Sequence, residues 1–235
     1  MMRLRASWWA ALAMQASAAS LFGVDVSAPV SASAAACLAK AGISFGIARA
    51  WHSDLSGYDT GATKSLKAFA AASPPIAGDV YMFPCSFASA ASQIAQLTAN
   101  LSAAGVTPGR IWLDIESNPT PRCAWRANHS ENCAYMAELV AAAAAAGGKW
   151  GVYSSIHEWT SIMTTASEPT KCTAGANLPL WYPHYEAKPN PSFSDFEPFG
   201  GWTKPAAKQY NDGGSTPGGC GVSADNNYAP VWPPA

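Results

Sequence analysis

Apolar residues fall in short, almost unbroken runs separated by polar or small-residue stretches. Five of these runs, at residues 21–27, 45–51, 80–84, 110–116 and 150–154, have the length and density of strands buried on both faces. Helical spacing appears between them. Ile94, Leu97 and Leu101 form one stripe, and Tyr135, Met136, Leu139 and Val140 another, extended by the alanines 141–146 and stopped by Gly147-Gly148. Strand alternating with helix predicts a parallel sheet. The last third changes character: residues 178–185, 206–211 and 222–228 are strand-like, but only Pro-, Gly- and Ser-rich loops join them. The pattern predicts an α/β fold of five βα units followed by three strands, an irregular (β/α)5(β)3 TIM-like barrel. An open doubly wound sheet is the alternative. No linker-like stretch or internal repeat divides the chain.

Composition narrows the function classes. Charged residues make up 12% of the 235, with a net charge of −1 and no basic block, so the footprint of a nucleic-acid binder is missing. Ten Trp and eight Tyr exceed ordinary packing needs, and such rings stack on the apolar faces of sugars. Residues 1–19 read as a secretory signal: Arg3 and Arg5 give a basic start, residues 6–16 are apolar, and Ala16-Ser17-Ala18 supplies small residues for cleavage. That apolar stretch is roughly half the ~20 residues a bilayer span needs. The expectation is a single domain over residues 20–235, secreted or held in a lysosome- or phagosome-like compartment, monomeric and free of the membrane. Six cysteines lie beyond the leader and suggest three disulfides. Fifteen pairings are open, of which Cys123–Cys133 is the most local. No cysteine or histidine spacing suits zinc, and no cofactor is expected. Asn100 and Asn128 begin N-glycosylation sequons; Pro119 excludes Asn118.

Four carboxylates are placed where a parallel barrel gathers its chemistry, at the strand ends. Asp25 closes the first run, Asp114 and Glu116 close the fourth, and Asp225 belongs to the last. Asp114 and Glu116 are two residues apart, so they share a face at roughly 6–7 Å between Cα atoms, with Ile115 pointing the other way. Such a pair can raise one pKa and keep the other group ionised, the division of labour that glycosidic cleavage uses. Two acids at the end of a buried strand also need a reason to be there. Other motifs fail: His157-Glu158 lacks the second histidine of a zinc site, Ser154-Ser155 has no nucleophile elbow, and there is no phosphate loop. His184 stands out among the four histidines, at the end of a predicted strand beside Trp181 and Tyr185.

In their order, these segments resemble glycoside hydrolase family 25, the Chalaropsis-type lysozymes, and most closely its invertebrate and protist branch. Gly23-Val24-Asp25-Val26-Ser27, residues 45–50, Val80-Tyr81-Met82-Phe83-Pro84-Cys85, residues 111–116, Trp150-Gly151-Val152-Tyr153-Ser154-Ser155, residues 178–185, Lys208-Gln209-Tyr210 and Cys220-Gly221 carry the likeness. The resemblance implies the same barrel and hydrolysis of the β-1,4 bond between N-acetylmuramic acid and N-acetylglucosamine in bacterial peptidoglycan. It implies Glu116 as general acid/base and Asp114 as partner of the substrate's 2-acetamido group, which acts as nucleophile with retention. Asp25 and Asp225 match supporting carboxylates. Tyr81, Trp181, Tyr153 and His184 are assigned to the sugar cleft, with Trp181 a stacking candidate. Asn226 departs from the family pattern, which has an apolar residue there, and the segment from Cys123 to Cys133 suggests an added disulfide loop. Two other readings compete: a non-catalytic glycan-binding protein with this fold, and a chitinase-like hydrolase. The chitinase pattern places another Asp two residues before the Asp-x-Glu, where this chain has Trp112.

Overall fold

A computed structural model describes residues 21–213 and 217–233, so the leader expected over residues 1–19 lies outside the described residues. The apolar runs become strands β1 (Leu21–Val26), β2 (Ile43–Trp51), β3 (Ala77–Met82), β4 (Ile111–Asp114), β5 (Trp150–Tyr153), β6 (Leu180–Pro183), β7 (Ala207–Asn211) and β8 (Asp225–Ala229). Helices α1 (Ala32–Lys40), α2 (Gly61–Ala71), α3 (Ala90–Ala103), α4 (His129–Ala146) and α5 (Ile156–Ile162) follow the first five strands in turn. The strands close into a barrel in chain order. This is the expected (β/α)5(β)3 architecture and excludes the open sheet. Side-chain oxygens of Ser31, Ser89, Asn128 and Ser155 accept first-turn N–H groups and fix the starts of α1, α3, α4 and α5. Among the described residues no helix is long and apolar enough to cross a membrane.

One strand departs from the expected parallel order. β8 is antiparallel to both β7 and β1. Among the described residues no crossover helix follows β7, and the chain runs back down antiparallel to it. Asp225 therefore opens its strand instead of closing it. It still reaches the rim of the other carboxylates, because the register pairs it directly with Asp25.

Period-two alternation sorts the strand residues into two cores. Phe45, Ile47, Trp112, Tyr153 and Trp181 fill the barrel interior. Val24, Ala48, Val80, Leu113 and Ile115 face outward into the layer that contains Leu38, Phe69, Ile94, Leu97 and Leu139 from the helices. The barrel is narrow for its aromatic filling, and two glycines make the room: a Cβ on Gly23 would lie 2.3 Å from the Phe45 ring, and one on Gly151 2.4 Å from Trp112. Trp232, after β8, stacks on Phe45 at 3.8 Å between ring centroids and closes the end opposite the carboxylates.

The disulfides are Cys37–Cys220, Cys85–Cys123 and Cys133–Cys172. The local Cys123–Cys133 bridge is not formed; the segment expected to carry an added disulfide does so, but from Cys123 to Cys85. Cys123, in a short 3-10 turn after β4, faces Cys85 in the loop after β3 at a Cα separation of 4.6 Å. Cys133 lies on α4 and faces the loop after α5. Cys85–Cys123 thus joins two neighbouring βα loops, while the other two bridges tie α1 to the β7–β8 connection and α4 to the α5–β6 connection.

Gly151→Ala is expected to destabilise the fold by roughly 1–3 kcal/mol, since the fully buried Trp112 has nowhere to retreat. Urea denaturation checks this, and a wild-type midpoint would contradict the packing account.

Candidate active site

Asp25, Tyr81, Asp114, Glu116, Tyr153, Trp181 and Asp225 all line one cavity of about 190 Å³ at the barrel mouth, with Gln209 and Tyr185 completing its wall. Asp114 is the last residue of β4 and points inward; Ile115 packs outward, fully buried. Glu116 lies on the same side as Asp114 but two residues beyond the end of the strand. There it also borders a second cavity of about 540 Å³, which contains His184. His184 does not line the small cavity but shares the adjoining one with Glu116, and stands beside Asp195. Trp181 is buried at 2% exposure, its ring lies 4.4 Å from that of Tyr153, and its Nε1 donates to Asn227 Oδ1 at 2.7 Å. It forms the floor of the cleft and does not present a face for stacking.

Gln209 and Asn227 organise the carboxylates. Gln209 Nε2 donates to Asp25 Oδ2 at 2.8 Å and to Asp225 Oδ2 at 3.1 Å. Its Oε1 accepts the hydroxyl of Tyr153 at 2.7 Å and that of Tyr185. Asn227 Nδ2 gives Asp25 Oδ2 a second bond at 2.7 Å, and the Gly213 N–H donates to Asp225 Oδ1. Asp114 is different: its Oδ1 is buried with no hydrogen-bond partner among the described residues. A buried acceptor left in this way favours a ligand that brings an N–H or O–H. Sequence reasoning missed Gln209 as the hub. The available signal was the inward alternation of Ala207, Gln209 and Asn211, which puts a buried amide in the same wall as Asp225 and Asn227.

Burial raises all four acids. Asp25 is pushed up to about 7, chiefly by burial and then by the Asp225 charge, while bonds from Asn227 and Gln209 pull it back. Glu116 is raised to about 7 by burial, then by Glu158 and Asp225. Asp114 lies well above the usual carboxylate range through burial and the charges of Glu116, Asp25 and Glu158. Burial also raises Asp225. The expected split, with one acid raised and its partner left ionised, is not found: both Asp114 and Glu116 are raised. A hydrogen-bond donor brought to Asp114 would favour its ionised form and separate the two.

Among the described residues one group, His184, Glu186 and Asp195, comes within metal-ligand reach. Asp195 already accepts Tyr182 Oη at 2.7 Å and the buried Lys208 ammonium, whose charge opposes a cation there.

The family model described as Lysozyme-like protein 1 matches residues 16–210. Lysozyme-like protein 5 of Caenorhabditis elegans is 37% identical over 211 residues, covering 88% of this chain and 91% of the relative. Probable GH family 25 lysozyme 2 of Dictyostelium discoideum is 39% identical over 209 residues, covering 88% and 90%. A muramidase structure from Acremonium alcalophilum aligns with a TM-score of 0.66 at 18% identity over 89% of this chain and 93% of that one, a likeness of fold.

Raised acids reverse the usual acid lability. Asp25 and Glu116 hold protons in the folded state up to about pH 7, whereas the unfolded chain releases them near pH 4. Between those values the folded state binds more protons, so stability contributed by these groups is present below pH 4 and is lost as pH rises through 7. The melting temperature is expected to be higher at pH 4.5 than at pH 7.5 by about 5 °C, with Asp25→Asn reducing the difference. Scanning calorimetry at the two pH values checks it; an unchanged or lower value at pH 4.5 would contradict the buried-acid account.

Proposed function

The chain belongs to the glycoside hydrolase family 25 lysozymes, and from that premise we propose that this cleft is the catalytic site of a secreted muramidase. The substrate is bacterial peptidoglycan, cut at the β-1,4 bond between N-acetylmuramic acid and N-acetylglucosamine. The observation that carries the residue roles is the unpartnered Oδ1 of Asp114, a residue that lines the same small cavity as Glu116.

The chemistry follows from the geometry. The sugar's acetamide N–H donates to Asp114. That contact favours the ionised form of Asp114 and orients the acetamide oxygen toward the anomeric carbon. Glu116, protonated near neutrality and opening onto both cavities, gives its proton to the leaving oxygen as the acetamide oxygen attacks. Glu116 then takes a proton from the incoming water, which opens the cyclic intermediate with net retention. Asp25 and Asp225 line the same cavity, and Gln209 holds them in place. All of these groups come from one chain, which supports action as a monomer. The leader-like residues 1–19 and three disulfides support export into an oxidising compartment.

Glu116→Gln is expected to lower the turbidity-loss rate of purified cell walls at least about a thousandfold, and Asp114→Asn about a hundredfold. Wild-type rates in Glu116→Gln would remove the assignment. Release of reducing ends from chitin but not from cell walls would move the reading to the chitinase-like alternative.

A further inference from the structure

Glu116 stands two residues beyond the end of β4, so something other than the strand register must fix it. The backbone around it is tied on both sides to the β5–α5 unit. The Ile115 N–H donates to Tyr153 O, and Ser154 Oγ donates to Ile115 O, each at 2.8 Å. Trp125 Nε1 donates to the carbonyl of Glu116 itself, also at 2.8 Å. The next N–H, on Ser117, donates to Glu158 Oε2 at 2.7 Å, and Ser117 Oγ donates to the same oxygen at 2.8 Å.

Glu158 reaches this position through a diverted cap. Ser155-x-x-Glu158 is the sequence signature of a capping box at the start of α5. Ser155 Oγ does its part by accepting the Glu158 N–H at 3.0 Å. In a closed capping box the glutamate would return to the N–H of its own cap residue. Here its carboxylate instead bonds across to the residue that follows Glu116.

We propose that Glu158 is the positioning residue of the general acid, anchoring the segment that carries Glu116 through Ser117 and holding a negative charge beside it. The proposal rests on the reading of Glu116 as the acid. The titratable groups that share its two cavities are Asp114 on its own segment, Asp25 on β1, Tyr81 on β3, Tyr153 on β5, His157 and Glu158 on α5, Tyr182 on β6, His184, Tyr185, Asp195 and Glu197 after β6, and Asp225 on β8. The charges that act on Glu116 are those of the carboxylates Glu158 and Asp225. After burial, Glu158 raises Glu116 more than Asp225 does. An acid catalyst must be protonated, so the basic limb of the pH profile follows the Glu116 pKa. Taking away the charge of Glu158 lowers that pKa and moves the limb toward acid.

The test uses kcat/KM and kcat against pH on a soluble peptidoglycan oligomer. Glu158→Gln keeps an acceptor oxygen for Ser117 and removes the charge. Its basic limb is expected to fall by roughly one pH unit, about a tenfold loss above the limb. Glu158→Asp keeps the charge but shortens the reach, so its limb stays in place while plateau kcat drops. Ser117→Ala removes one of the two bonds and lowers plateau kcat roughly threefold with the limb unmoved. An active wild type with an unmoved limb in Glu158→Gln overturns the proposal and leaves the muramidase reading intact; an inactive wild type overturns the muramidase reading itself. If Glu158→Gln does not fold, as judged by near-ultraviolet circular dichroism, the other two variants decide: wild-type plateaus in both overturn the proposal.

Discussion

Four carboxylates share the mouth of one narrow barrel, and much of the site's polar architecture serves to keep them there. Lost hydration first, and neighbouring negative charge second, push each toward its neutral form. No lysine or arginine side chain is bonded to any of them among the described residues, where an ion pair would have collapsed their raised pKa values. Neutral amides do the holding. Gln209 bridges Asp25 and Asp225 while binding two tyrosine hydroxyls, and Asn227 links Asp25 to the indole of Trp181. A neutral donor fixes a carboxyl group in place without forcing it to ionise, which suits a site that must hold a proton near neutrality and release it during the reaction.

The barrel makes this crowding tolerable by being rigid underneath. Trp112 and Phe45 fill the interior against Gly151 and Gly23, and Trp232 covers the lower end. The Cys85–Cys123 bridge ties the loops that follow β3 and β4, the strands carrying Tyr81 and Asp114. Polar groups at the rim therefore work against a wall that cannot relax away from them.

Much of this was legible in the chain. The apolar runs located the strands, and two-residue spacing put Asp114 and Glu116 on one side with Ile115 on the other, as observed. The order of motifs identified the barrel and the family. Legibility failed where the cause was long-range. The reversal of β8 goes with the lack of a crossover helix after β7 among the described residues, and no residue of β8 announces it. Fifteen cysteine pairings were open in the sequence; the barrel carries the β3 loop to Cys123 and turns Cys133 toward Cys172. Gln209 looked like any strand polar residue until the closed sheet brought it between Asp25 and Asp225. Glu158, notable in the chain only as part of an incomplete zinc pattern, bonds to a neighbouring βα loop that local pattern does not reveal.

The account turns on a cleft that cuts the muramyl bond with retention, using the substrate's acetamide held by Asp114. Mass spectrometry of muropeptides from digested cell walls, coupled to proton NMR of the first-formed anomer, tests this most directly. The account predicts fragments ending in reducing N-acetylmuramic acid, released initially as the β anomer. Fragments ending in reducing N-acetylglucosamine, or an initial α anomer, would contradict it.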